Sequence, residues 1–202
     1  VELVASVNGT PFRVLAESVA SERVFGQVGI RVSGRGRNAV LDAPYAPVKV
    51  FSNPDGRTAQ QLMNDVLTDN GISLGYGIEW GLADWNVPAG VFSHQGTYIS
   101  ALAAIAKAAG GYLVPHPSAQ SFGVKHRYPA APWQWASVQP QLELPSAVMT
   151  RESLEWKKKP DYNRVFVSGQ QAGVLGQVTR AGTAGDLLAP MVVDALVTEA
   201  AA

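Results

Sequence analysis

The residues that could carry chemistry are few and poorly grouped. Cysteine is absent, which removes thiolate nucleophiles, disulfides and Cys-ligated metals, and leaves only His94, His116 and His126 as imidazoles. None of the three has a second His, Asp or Glu at the short spacing that metal sites use. Glu79, Asp84, Glu143, Glu152, Glu155 and Asp161 are scattered through strand-like and loop-like stretches without a paired pattern, and no Gly-x-Ser-x-Gly elbow occurs. Gly34-Arg-Gly-Arg37 could cradle a phosphate through backbone amides and guanidinium groups, but it lacks the Lys-Ser/Thr of a phosphate loop and reads more simply as a tight turn with solvated arginines. Gly71, Gly75 and Gly77 do not match a dinucleotide fingerprint. The chain is expected to be no enzyme and to use no metal or cofactor.

Two groupings remain. Trp80, Trp85, Trp133 and Trp135 concentrate aromatic surface, and Trp133 and Trp135 would share one side if extended. Stacking on sugar rings is one use of such a platform, and packing in a core or interface is the commoner one. Lys157-Lys-Lys159 is the single basic run. It could touch phosphates, or it could guard a sheet edge against pairing.

Composition narrows the classes further. Of 202 residues, 47% are apolar and 16% charged, with sixteen basic against sixteen acidic residues. That is too apolar for a disordered chain and too neutral for a dedicated nucleic-acid binder, whose affinity rests on phosphate neutralisation. No apolar run reaches the roughly 18 residues that would span a membrane. The alanine-rich end reads as a fragment cut from a longer protein.

The elements that must position these residues begin as β. Val1, Leu3, Ala5 and Val7 alternate up to Asn8-Gly9, a strong hairpin signal. Phe12, Val14 and Ala16 follow, then Val28, Ile30 and Val32, which together suggest a three-stranded antiparallel meander. After a short strand at Val48 to Phe51 the period changes to 3.6. Thr58 and Gln61 form a capping box ahead of Ala59, Leu62 and Val66, with Asn70-Gly71 expected as the αL cap. A second helix runs from Thr97 to Gly110, and Tyr112 to Val114 pairs with Phe122 to Val124 as a hairpin. Residues 75–96 show no clear period. Strands are then expected around Leu142 and Leu144, Leu154 and Trp156, Val165 to Val167, and Val174 to Thr179. The final stretch, 186–202, reads as a helix on Leu187, Leu188, Met191, Ala195 and Leu196. The expected class is α+β: mainly antiparallel β with tail-tube-like barrel strands and a small inserted α/β unit of two helices. Its divisions are β strands over 1–51, the inserted unit over 52–130, and a return to barrel strands over 131–202.

In combination these features become more specific. Val28-Gly-Ile-Arg-Val-Ser-Gly-Arg-Gly-Arg-Asn-Ala-Val-Leu41 resembles a strand-plus-turn, and Arg57-Thr-Ala-Gln-Gln-Leu-Met-Asn-Asp-Val-Leu67 a helix ahead of Asn70-Gly71. Gln95 to Leu113 resembles a helix whose polar start leads into a Leu-x-x-Ile-Ala stripe. Asp161-Tyr-Asn-Arg-Val-Phe-Val-Ser-Gly169 resembles a strand re-entering a barrel layer. In this order, over most of 22–185, the chain resembles the hub proteins of phage baseplates and tail tips, which are related to the spike hubs of type VI secretion. The resemblance implies tube-like β-barrel domains with an α/β insertion, and a homotrimeric ring joining tail tube to spike. It further implies DNA passing through without specific binding, no membrane insertion, no catalytic residue, and a place in the virion after assembly in the bacterial cytoplasm. A glycan-binding, host-receptor module using the four tryptophans is the competing expectation.

Overall fold

The computed structural model describes residues 1–128, 130, 132–139, 145–170 and 174–200, with the backbone alone at 132, 133 and 146. Its strands and helices run, in chain order, β1 (Glu2–Val7), β2 (Thr10–Val24), β3 (Gln27–Gly36), β4 (Lys49–Ser52), β5 (Arg57–Thr58), α1 (Ala59–Val66), β6 (Thr68–Asp69), β7 (Ile72–Ser73), β8 (Gly77–Trp80), β9 (Asn86–Val87) and β10 (Ser93–Gly96). They continue as α2 (Tyr98–Ala108), β11 (Gly111–Pro115), β12 (Ser121–His126), β13 (Arg164–Gly169), β14 (Leu175–Thr179) and β15 (Val192–Asp194). The class is α+β, mostly antiparallel, with two α-helices among the described residues. Two short parallel pairs break the rule, β12 with β8 and β13 with β15.

The meander expected at the start is present as a β1-β2-β3 sheet. Asn8 and Gly9 turn its first corner at φ 50° and 82°, the left-handed pair that matches the twist of the strands they join. A bulge at Glu17 lies between the Ala16–Gly34 and Ser18–Ser33 pairs. Because side chains alternate with period two, one extra residue switches the parity of everything beyond it. Leu3, Ala5, Phe12, Val14 and Ala16 precede the bulge, and Val19 follows it opposite Val32. The bulge therefore keeps Val19 on the face that already holds Val14 and Ala16.

The core lies in the α/β unit. Thr58 caps α1 through a complete capping box with Gln61, and the helix buries Ala59, Leu62, Met63 and Val66. Thr97 accepts from the Ser100 amide to start α2, which buries Tyr98, Ala101, Leu102, Ile105 and Ala106. Those stripes pack with Trp85, Val87, Phe122 and Val124, and the cluster extends to Leu41 and Ala46 before the unit and Leu196 far beyond it. β11 and β12 form the expected hairpin, and β8 inside the aperiodic stretch adds a third strand to it. Four-residue strands are too short to reveal a period of their own.

Three expectations are corrected. Asn70 and Gly71, at φ 49° and 79°, turn the β6–β7 hairpin, while α1 ends three residues earlier at Leu67 in a non-left-handed conformation. Both readings ask for a left-handed Asn-Gly, so the dipeptide alone could not separate them. The described part of the tail, 186–200, is no helix. Pro190 removes an amide inside the supposed helix, and the β-branched Val192 and Val193 pair with Val167 and Ser168 instead. Leu154 and Trp156 lie in an irregular stretch, 151–163, that belongs to no ladder. The strand expected at Leu142 and Leu144, with Glu143 between them, lies outside the described residues.

Candidate functional site

The sheet β1-β2-β3 has two unlike faces. Register places Leu3, Ala5, Val7, Phe12, Val14, Ala16, Val19, Val28, Ile30 and Val32 on one of them. Nothing among the described residues covers its outer half: Val19, Val28 and Ile30 are 68%, 65% and 72% exposed. A contiguous apolar patch of this kind marks an interaction surface, since water gains nothing from leaving it open. Full burial of each Val or Ile side chain is worth about 1.5–3 kcal/mol.

Ser21 and Arg23, opposite Ile30 and Val28, are the polar residues at the outer end of that face, and the opposite face carries the ion pairs. Arg13 and Arg37 both reach Glu2, at 3.2 and 3.6 Å. Arg35 donates to Glu17 at 2.8 Å, meets Asp42 at 3.3 Å and donates to the Ala43 carbonyl at 2.7 Å. Gly34 and Arg35 are thus part of a strand, and the arginines of Gly34 to Arg37 are engaged by carboxylates rather than open to a phosphate. A Cβ on Gly34 would come 2.0 Å from the Leu15 carbonyl oxygen, so the glycine permits the close approach of β2 and β3 at the bulge.

Two ionic joints tie outlying strands to the α/β unit. Asp42 accepts from the Thr97 hydroxyl at 2.8 Å at the start of α2 while meeting Arg35 of the sheet. The Thr97 hydrogen bond, then the Ala43 amide and Arg35, hold the Asp42 carboxyl below its ordinary range. Lys49 of β4 meets Asp69 at 2.5 Å, and Tyr98 donates to the same carboxylate at 3.3 Å. The Lys49 hydrogen bond is the main cause that lowers Asp69.

A second apolar face lies on the sheet β14-β13-β15. Val165 stands opposite Val178, and Val167 is flanked by Gly176 and Val192. Val178 and Val192 are exposed. The tail beyond it returns to the core: Trp85 donates its indole N–H to the Leu196 carbonyl at 2.8 Å, Asn86 bonds Glu199 at 2.8 Å, and the Thr198 hydroxyl bonds the Asn86 carbonyl.

Of the tryptophans expected as a platform, Trp80 and Trp85 are brought together, but in and against the core rather than as an open surface. Trp85 is 1% exposed and is a core residue, which corrects its reading as a sugar-stacking surface. Trp80 is half-buried with its ring 6.0 Å from that of Trp85, and its indole N–H has no partner among the described residues. Trp135 is 56% exposed and donates to the Ala130 carbonyl. The backbone of Pro132–Ser137 is a 3-10 turn, not the extended stretch that would align positions 133 and 135, and the Trp133 side chain lies outside the described residues. The exposed indole that the platform reading passed over is Trp156, at 87%.

Among the described residues, His94 and His116 have structural partners. His94 meets Ser100 at 2.9 Å, and His116 accepts two amides of its own turn. Among the described residues no three His, Asp or Glu side chains are grouped to hold a metal, and no helix is long and apolar enough to cross a membrane.

Neither a protein-family model nor a curated protein sequence matches this chain. Among solved structures it is similar to the tail protein from Neisseria meningitidis MC58, with a TM-score of 0.56 and 16% identity. The similarity covers 96% of this chain and 58% of that protein, so the chain spans little more than half of its length. At that identity the likeness is one of fold: this chain has the fold of a tail protein.

Proposed function

We propose that the chain is a structural component of a phage or prophage tail, a hub at the baseplate or tail tip that joins the tail tube to the spike. It acts by assembly rather than catalysis, as a homotrimeric ring with DNA passing through it unbound. The observation that carries the reading is the largely apolar face of β1-β2-β3, whose outer half is exposed in the single chain and which is backed by an ion-paired face. Such a face has no use in an isolated molecule and an immediate one in an assembly, where neighbours bury it. The fold shared with a tail protein supports the same reading. The sixteen-to-sixteen charge balance suits a wall past which DNA must slide.

Immunogold labelling of tail particles from a strain producing the epitope-tagged chain tests the position. Label at the junction of tube and spike is expected. Particles whose tails carry no label, or carry it along the tube shaft or on the fibres, would overturn the hub assignment.

A further inference from the structure

Two parts of the chain have complementary needs that the chain itself leaves unmet. β3 is an edge strand of ten residues, and among the described residues no backbone partner lies on its outer side. It contains no lysine or proline, two of the devices by which natural edges are blunted, and its charged residues are Arg31 and Arg35. The other part is the stretch 153–157. It joins no ladder, yet it carries a strand's alternation, with Leu154 and Trp156 at 75% and 87% exposure and Glu155 and Lys157 between and beyond them. Glu155 and Lys157 meet at 3.2 Å, as residues two apart on one side of an extended chain do. Pro160 then ends any ladder, since it has no amide to donate.

We propose that the stretch 153–157 of one copy adds as an antiparallel strand to the β3 edge of a second copy, placing Leu154 opposite Val32, Glu155 opposite Arg31 and Trp156 opposite Ile30, with Lys158 and Lys159 beyond the ladder. Side-chain parity, charge and the seating of the Trp156 indole on Ile30, at 72% the most exposed valine or isoleucine of β3, together select this register. It continues the apolar face, because Val32 and Ile30 lie on that face and the indole covers its most exposed positions. On the other face it sets Glu155 against Arg31. Lys157 then falls opposite Gly29, whose partner across the sheet is Glu22, so the ammonium reaches a carboxylate over a residue without a side chain. A parallel strand with Trp156 beside Ile30 would set Lys157 against Arg31, and a shift of two residues toward Gly34 would do the same. Like charges directly opposite disfavour both.

The occupant is a second copy because donor and acceptor patches differ and both stand open in one molecule. That is the condition for a head-to-tail contact, which closes into a ring when its rotation allows. The inference rests on the assembly reading above and names the contact by which it would occur.

The absence of cysteine makes the contact directly testable. Full-length chains carrying Val32→Cys alone and Leu154→Cys alone are mixed and treated with a short bis-maleimide. Covalent heterodimer is expected. Leu154→Cys mixed with Val28→Cys, displaced by four residues or about 13 Å along the strand, is expected to cross-link at least tenfold less. Arg31→Glu is expected to lower the Val32–Leu154 yield, and Glu155→Arg in the partner chain to restore it. Equal yields at Val28 and Val32, no heterodimer, or a Val32→Cys, Leu154→Cys double variant that closes only within one chain would each overturn the proposal. Light scattering on the same untreated samples separates the two levels. An oligomer without the cross-link removes this strand pairing and leaves the assembly reading standing, whereas a monomer removes both.

Discussion

The indole of Trp85 donates to the main-chain carbonyl of Leu196, 111 residues later, at 2.8 Å. Both residues are buried, and Val197 and Thr198 are buried beside them. The end of the described chain is therefore part of the α/β core, and it fastens β15 and the second sheet to that core. Trp85→Ala is expected to cost about 3–5 kcal/mol, from the cavity and the lost hydrogen bond together. It should also free the 195–200 segment. Urea denaturation gives the first effect, and limited proteolysis, with cleavage near Leu196 in the variant alone, gives the second.

Gly169 makes the same junction from the other side. A Cβ there would lie 2.1 Å from the Val197 carbonyl oxygen, so Gly169→Ala must push the tail segment off β13. Gly36 has open space around its missing Cβ. A thermal melt should show Gly169→Ala losing several degrees while Gly36→Ala stays within about one degree of the parent.

Acid should loosen the joints between strands and helices. The folded chain holds the Asp42 and Asp69 carboxyls below their ordinary range. A depressed folded pKa means the unfolded chain takes up the proton first. The stabilisation is therefore complete above the ordinary carboxylate range and is lost as pH falls through it toward the lowered folded values. The denaturation midpoint should fall between about pH 5 and pH 3. In Asp42→Asn that fall should be shallower, because one of the linked carboxyls no longer titrates.

The apolar face should matter to assembly and not to the fold. Ile30 and Val19 are 72% and 68% exposed in the single chain, so Ile30→Lys and Val19→Lys are expected to shift the melting temperature by less than about two degrees. The same variants should abolish self-association in sedimentation velocity. Unchanged association would clear this face of the role.

Where a signal was local, the sequence displayed it. The Asn8-Gly9 turn, the Thr58–Gln61 box and the α2 stripe each sit within a few residues, and all three stand where periodicity places them. The Glu17 bulge was legible in a subtler way, as the change of apolar parity between Ala16 and Val19. What failed depended on distant partners. Val192 and Val193 pair with a strand 25 residues away in sequence, against a run of leucines and alanines that suggested helix. The burial of Trp85 depends on Leu196, and no spacing rule connects them. The β3 edge and the exposed Trp156 emerged only once the ladders were drawn, because being unpaired is a property of the whole topology.

Self-assembly of this chain is open to a direct test through its solution mass. Light scattering behind a sizing column, across a hundredfold range of loading concentration, should give a mass of three chains at the upper end, and the Ile30→Lys chain should elute as one. A mass of one chain throughout, for the parent as for the variant, would contradict the account.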